Sequence, residues 1–143
     1  MSGNVKFRWF LLAPILVALF VVISPVVSLA GVLEGAKEDV RKYPNDSAAH
    51  FNLGWTYDEL GQYQDAIASY KEALRIKPDD ADAHNGLGIT YEKLGRNAEA
   101  IAKYKEALRI KPDFKSARNN LNELEQKTAD ERLALEQRLL EEE

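Results

Sequence analysis

The chain has 143 residues, a formal net charge of −4 and no cysteine. This length is enough for one domain, and a chain without cysteine has no disulfide, thiolate metal site or cysteine nucleophile. Because the first 30 residues add only the positive charges of Lys6 and Arg8, residues 31–143 carry a net charge of −6. An acidic domain is poorly suited to nucleic acid, whose phosphates are bound by clustered lysine and arginine.

The N-terminal part of the chain contains an uncharged apolar segment of 22 residues, Trp9–Ala30. A helix of this length crosses the hydrocarbon core of a membrane. Lys6 and Arg8 precede the segment, and positive charge at that place keeps the N-terminus in the cytoplasm. Residues 1–30 are therefore predicted to be a signal-anchor or transmembrane segment. The rest of the chain is then expected on the exported side, which is periplasmic or lumenal.

The same segment also fits a cleaved signal peptide. A basic start and an apolar middle lead to small residues at Ser28 and Ala30, where a signal peptidase could cut. In that interpretation, cleavage after Ala30 gives an exported soluble protein. The apolar run exceeds the usual length of a signal peptide's middle region, which favours the anchor.

The next segment, Gly31–Tyr43, has the pattern of one amphipathic helix. Its apolar residues at helical spacing are Val32, Leu33, Ala36 and Val40. Pro44 ends the helix, because proline disfavours helix at the residue before it. Pro44 also lies 34 residues before Pro78, which ends a helix of the next unit. Residues 31–46 are therefore predicted to be the second helix of an incomplete repeat.

Residues 47–80 and 81–114 are two copies of one sequence, with 21 of 34 positions identical and no gap. A fixed period of this length is typical of stacked helical hairpins. Gly61 and Gly95 are placed to end the first helix of each hairpin in a left-handed conformation. Gly54 and Gly88 lie inside that helix, where glycine costs about 1 kcal/mol relative to alanine. We therefore expect neighbouring helices to approach closely at these two glycines.

The two copies resemble the tetratricopeptide repeat (TPR) family. Its pattern is an aromatic or similar residue, Leu-Gly, a tyrosine, an alanine, an aromatic residue and a closing proline. The matching residues of the first copy are His50, Leu53, Gly54, Tyr57, Ala66, Tyr70, Ala73 and Pro78. Those of the second copy are His84, Leu87, Gly88, Tyr91, Ala100, Tyr104, Ala107 and Pro112. The departures are histidine where the family most often has tryptophan, and Asn97 where the first copy has Tyr63.

The resemblance implies an all-α fold, a solenoid of helical hairpins. Two full repeats at 47–80 and 81–114 follow the partial repeat, and a capping helix and acidic extension occupy residues 115–143. Stacked hairpins form a curved surface that suits another polypeptide.

The C-terminal segment is predicted to be one helix, because no glycine or proline separates the cap from Thr128–Glu143. Its inward residues are expected to be Ala117, Leu121 and Leu124. The later leucines, Leu133, Leu135, Leu139 and Leu140, are expected to pack over the last repeat. Self-association through this helix is the alternative.

Chemistry-bearing residues are sparse. His50 and His84 are the only histidines, and one helix-pair spacing, roughly 10 Å, is expected to separate them. That separation disfavours a shared metal, so both are interpreted as packing residues. No arrangement of nucleophile, base and acid is apparent. We therefore expect no enzyme activity, metal site or cofactor.

The resemblance implies that the first helix of each hairpin lines a concave groove. The candidate partner-binding residues on these helices are Phe51, Asn52, Trp55, Asp58, Glu59, Asn85, Ile89, Glu92, Lys93, Asn119 and Glu123. Phe51 and Trp55 form an aromatic pair one helical turn apart, of the kind that anchors interfaces. Aromatic and acidic residues together favour a neutral to basic, partly apolar peptide. TPR modules that hold acidic C-termini use lysine, arginine and asparagine on these helices to bind carboxylates.

These features predict a non-catalytic adaptor or scaffold that acts at or across a membrane. Its partner is expected to be another protein or peptide, and nucleic acid is not expected. The alternative is a structural subunit of a membrane complex or a self-assembling array of repeats.

Overall fold

The computed structural model describes residues 30–142, and these residues form helices without any strand. Helix α1 covers residues 30–42. The helices that follow are α2 (Ser47–Glu59), α3 (Tyr63–Ile76), α4 (Ala81–Lys93), α5 (Asn97–Ile110) and α6 (Lys115–Glu141). The short connections make α2–α3 and α4–α5 antiparallel hairpins, which stack on one another. The described residues therefore confirm the predicted all-α solenoid.

The glycines inside the hairpins have the predicted conformation, and an aspartate caps the start of each hairpin. Gly61 and Gly95 both have φ of 72°, the left-handed conformation that lets a helix end and the chain reverse. The carboxylate of Asp46 accepts a hydrogen bond from the Ala48 amide at 2.9 Å and caps α2. Asp80 caps α4 in the same way. An aspartate at this place satisfies amides that the helix itself leaves unpaired.

The two histidines fasten each new helix to the preceding turn. His50 Nε2 lies 2.9 Å from the carbonyl oxygen of Pro44, and His84 Nε2 lies 3.0 Å from that of Pro78. Arg118 donates to the carbonyl oxygen of Pro112 at the corresponding place before α6. The histidines therefore have a structural role. Among residues 30–142, no three histidine, aspartate or glutamate side chains are grouped to hold a metal ion.

Close approach at the helical glycines is confirmed. A Cβ atom built at Gly54 would lie 2.8 Å from Cδ1 of Tyr70, and one at Gly88 would lie 2.6 Å from Cε1 of Tyr104. Gly86 makes a third such contact, because a Cβ atom there would lie 2.9 Å from Cζ of Tyr70. Both tyrosines are fully buried at the centre of the core. Each glycine therefore makes room for a tyrosine ring.

The described part of the solenoid begins with a second helix. The predicted helix is present as α1, and Ala36 is buried against α2. Val32 was expected on the inward face of α1, but its side chain is 46% exposed. The helix that would cover it in a complete repeat does not precede it within the described residues.

The C-terminal end is one continuous helix, as predicted. Ala117, Leu121 and Leu124 are its buried residues. The expected packing of the later leucines over the last repeat is wrong. They are between 51% and 73% exposed: Leu133, Leu135, Leu139 and Leu140. The reason is that no glycine turns the chain back, so α6 runs straight beyond the last hairpin.

The predicted membrane segment Trp9–Ala30 lies outside the described residues, apart from Ala30. Between residues 30 and 142, none of the helices has both the length and the apolar character needed to cross a membrane.

Candidate functional site

A surface cavity of about 200 Å³ lies between α2 and α4. It brings together seven of the predicted groove residues: Phe51, Trp55, Asp58, Glu59, Asn85, Ile89 and Lys93. Tyr70, Asp82 and Gly86 complete its lining. Since α2 and α4 are the first helices of the two hairpins, the cavity marks the surface that the sequence pattern predicts as the groove.

The aromatic pair at this cavity has two different environments. Trp55 is 50% exposed, although it is a large apolar side chain. Phe51 is half-buried, and its ring centroid lies 5.6 Å from that of Tyr70 at an angle of 55°. Trp55 is therefore free to contact a partner, whereas Phe51 also supports the core.

Asp58 is buried and joins the two repeats. Its carboxylate accepts a hydrogen bond from the Thr90 hydroxyl at 2.9 Å and an ion-paired hydrogen bond from the Lys93 ammonium group. That ammonium group also lies 5.7 Å from the ring centroid of Tyr63. The charges of Asp58 and Lys93 thus compensate each other within the protein.

Glu92, which does not line the cavity, and Asn85, which does, are both held by hydrogen bonds within the protein. Glu92 accepts a hydrogen bond from the Tyr104 hydroxyl at 2.8 Å. Burial, and then this hydrogen bond, raise the pKa of Tyr104 far above its ordinary value. Asn85 is buried, and its side-chain oxygen accepts a hydrogen bond from Asn120 at 3.2 Å. These contacts fix α4 against α5 and α6.

The remaining predicted residues lie away from the cavity. Asn52 lines a second cavity, of about 340 Å³, between α1 and α2. Trp55 lies at the border of the two cavities. Asn119 and Glu123 are exposed on α6, and Glu123 borders an open depression there.

The net electrostatic character of the α2–α4 cavity is acidic. Once Asp58 and Lys93 compensate each other, Glu59 and Asp82 remain. Neither makes an ion pair with another described residue. An exposed tryptophan beside two such carboxylates suits a cationic or neutral apolar group.

The sequence pattern missed Tyr70, Asp82 and Gly86 as lining residues. Tyr70 belongs to a second helix, but its ring reaches between two first helices. Gly86 could have been found, because it is a glycine inside a helix like Gly54 and Gly88, and a Cβ atom there would also meet a tyrosine ring. Asp82 could not have been found, because nothing in the sequence distinguishes it from the other acidic residues of the helices.

Three models of tetratricopeptide repeats match the sequence. They cover residues 40–68, 56–95 and 81–114, which together form one continuous stretch of the chain. The chain belongs to the tetratricopeptide repeat family. A sequence comparison with curated proteins gives no significant match.

Solved structures with the same fold include two crystal structures of MamA. They are 26% and 25% identical to this chain, with TM-scores of 0.65 and 0.66. The matches cover 68% and 79% of this TPR chain but only 57% and 63% of the MamA chains. The chain therefore spans less than two thirds of the length of these relatives.

Two TPR domains are covered more fully at lower identity. The first TPR of Spaghetti (RPAP3), bound to the HSP90 peptide SRMEEVD, has a TM-score of 0.68 at 18% identity. That match covers 73% of this chain and 83% of the RPAP3 chain. The Arabidopsis OM64 TPR domain has a TM-score of 0.68 at 21% identity, over 73% and 86% of the two chains. At these identities the likeness concerns the fold alone.

Proposed function

We propose that this TPR domain is a non-catalytic adaptor or scaffold that binds a segment of a partner polypeptide across the α2–α4 cavity. The observation that carries the proposal is Trp55, half-exposed beside Phe51 and Ile89. A cavity of about 200 Å³ is smaller than the roughly 300–1,000 Å³ of sites for small molecules. It is therefore suited to a side chain that projects from a larger partner.

The chemistry of the cavity favours a neutral to basic, partly apolar partner segment. Glu59 and Asp82 attract a lysine or arginine of the partner, and Trp55 and Ile89 contact its apolar residues. The RPAP3 structure holds the acidic peptide SRMEEVD. Such a peptide would be repelled here, because the one lysine of this cavity is paired with Asp58.

The exposed tryptophan gives the test of this proposal. Trp55→Ala in the full chain should weaken binding of the partner by at least about 2 kcal/mol, or roughly 30-fold, because it removes a central aromatic anchor. Tyr43→Ala is the matched control, since Tyr43 is 49% exposed but lies outside the cavity. The measurement is quantitative mass spectrometry of proteins retained by each variant from detergent-solubilised native membranes.

Both variants should keep the helical circular-dichroism spectrum of the parent protein. The peptide SRMEEVD serves as the acidic probe, and we expect no measurable binding to the parent chain. Equal retention of all partners by the two variants would exclude this cavity as the binding site. Tight binding of SRMEEVD would contradict the proposed preference for basic partners.

We further propose that the domain acts on the exported side of a membrane, held there by Trp9–Ala30. Lys6 and Arg8 before that segment support this orientation. Protease added outside intact spheroplasts, or to sealed vesicles with the exported face outward, should digest residues 31–143. Protection that is lost only on lysis would contradict the orientation. Mass spectrometry of the N-terminus then distinguishes the anchored chain from one cleaved after Ala30.

A further inference from the structure

The two ends of the solenoid are complementary halves of one hairpin. Helix α1 occupies the register of α3 and α5, the second helices, because Pro44 precedes Pro78 by one 34-residue period. Helix α6 occupies the register of α2 and α4, the first helices. Arg118 confirms this register, because it bonds to Pro112 as His84 bonds to Pro78. Within residues 30–142, α1 therefore has no first helix packed against it and α6 has no second helix packed against it.

Among the described residues, no first helix covers α1. Val32 is 46% exposed, whereas Ala66 and Ala100 at the same place in the complete repeats are 0% exposed. The cavity of about 340 Å³ lies at this place, between α1 and α2. In the complete repeats the corresponding seam is covered by the first helix of the same hairpin.

The residues at the two ends have reciprocal sizes. Each complete hairpin pairs a glycine of its first helix with a tyrosine of its second: Gly54 with Tyr70, and Gly88 with Tyr104. At the same places, α6 has Asn122 and α1 has Ala36. The larger residue on the first helix is matched by the smaller one on the second, which is the exchange that a shared packing volume requires.

Polar contacts between successive repeats also have counterparts at the ends. Asn120 donates to Asn85 at 3.2 Å. In the 34-residue register, Asn119 of α6 is the counterpart of Asn85, and Asn52 of α2 is the counterpart of Asn120. Both Asn119 and Asn52 are exposed.

A second polar contact follows the same register. Arg109 pairs with Glu106 of its own helix at 2.8 Å and with Asp79 of the preceding repeat at 3.5 Å. Its counterpart Arg41 pairs with Glu38 at 3.0 Å. The counterpart of Asp79 is Asp113, which precedes α6 and is exposed.

We propose that α6 of one copy docks on α1 and α2 of a second copy, so that α6 and α1 together complete a TPR hairpin. Asn122 then lies against Ala36 of the second copy, Asn119 beside its Asn52, and Asp113 beside its Arg41. Residues 115–128 of α6 are sufficient for the contact, because Thr128 corresponds to Leu60 and Leu94, which end the other first helices. The two surfaces differ, so the contact is head-to-tail and leaves a free end for further copies. This self-assembly goes beyond the proposed binding of a partner segment.

Site-directed crosslinking tests the contact, because the chain has no cysteine of its own. One full-length variant carries Asn119→Cys and another carries Asn52→Cys, each in detergent micelles with a short bismaleimide crosslinker. A mixture of the two should shift from the monomer band to a dimer band, and each variant alone should remain monomeric. The pair Asn122→Cys and Ala36→Cys should give the same result. A single variant with both Asn52→Cys and Asn119→Cys should give a ladder of oligomers.

A size exchange distinguishes this packing from chance contact. Ala36→Tyr, added to the Asn52→Cys variant, should remove the dimer, because its ring meets Asn122 of the other copy. Adding Asn122→Gly to the Asn119→Cys variant restores the Gly–Tyr pair of the complete repeats and should restore the dimer. A rescue by Asn122→Gly also shows that Ala36→Tyr leaves the chain folded.

Three results would overturn the proposal. The first is a dimer formed by either single-cysteine variant alone, which would show a symmetric contact. The second is the absence of a dimer in both mixtures at unchanged helical content. The third is an adduct of Asn52→Cys with a different protein in native membranes, which would show that another partner covers this end.

Discussion

At the scale of single residues, the tyrosine rings decide where glycine is required. A Cβ atom at Gly88 would lie 2.6 Å from the ring of Tyr104, whereas one at Gly35 would meet nothing within 4 Å. Both glycines lie inside helices, where glycine is a poor helix former. The same substitution should therefore have opposite effects at the two positions.

The first such prediction is that Gly88→Ala destabilises the domain by about 1–3 kcal/mol, because its methyl group overlaps a buried ring. Gly35→Ala is the matched control, and it should stabilise the domain by up to about 1 kcal/mol through helix propensity alone. Urea unfolding followed by circular dichroism measures both. A gain of stability in both variants would show that the ring of Tyr104 has room to move.

The residue scale is also where the sequence is least informative about the site. Phe51, Trp55 and Ile89 were predicted for this surface because they fall outside the packing stripe of their helices, and they line the α2–α4 cavity. The burial of Asp58 was not predictable, since an acid on a helix is usually exposed. Its two partners, Thr90 and Lys93, belong to the next repeat. That contact follows from how the repeats stack and not from the pattern within either one.

At the scale of elements, turn chemistry made most of the fold predictable. Glycines with positive φ follow the first helices α2 and α4, and aspartate side chains cap the starts of the same two helices. Ala129 stands where Gly61 and Gly95 stand in the complete repeats, and α6 accordingly continues without a turn. The spacing of the leucines shows that they share a face of α6 but not whether another helix covers that face, so it suggested a packed face where an exposed one is found.

The extension of α6 should contribute little to the stability of the domain. Every described residue after Thr128 is exposed, and the buried residues of this helix end at Leu124. Deleting residues 129–143 should change the free energy of unfolding by less than about 0.5 kcal/mol. Deleting residues 120–143 is the control, and the loss of Leu121 and Leu124 alone should cost about 1.5–3 kcal/mol each. Similar melting temperatures for the two truncations would contradict the assigned boundary of the core.

At the scale of the whole molecule, two buried phenols predict sensitivity to alkali. Burial raises the pKa of Tyr70 and of Tyr104 far above the ordinary value of about 10. As the pH rises, the unfolded chain therefore loses these protons before the folded chain does. The stability associated with the neutral phenols is complete below about pH 10 and is lost as the pH rises further.

Urea unfolding measured from about pH 8 to about pH 11.5 should show this loss of stability, because that range spans the ordinary tyrosine pKa of about 10. The phenolate absorbance of Tyr70 and Tyr104 should appear together with the loss of helix. Tyr104→Phe should make stability less dependent on pH over the same range, although it also loses the hydrogen bond to Glu92. Full ionisation of all six tyrosines in a folded chain would contradict the burial of these two.

The position of the Tyr70 ring determines how the domain unfolds. The ring lies against Gly54 of its own repeat and against Gly86 of the next, and Tyr70 is among the largest fully buried side chains. The loss of either neighbour exposes part of it, so we expect the two repeats to open together and their slowest amides to exchange hydrogen in one cooperative step. A fragment that ends at Asp80 contains the whole first repeat in sequence but lacks the helix of Gly86 that covers one side of this ring. We therefore expect the smallest piece of this chain that folds to cross the repeat boundary.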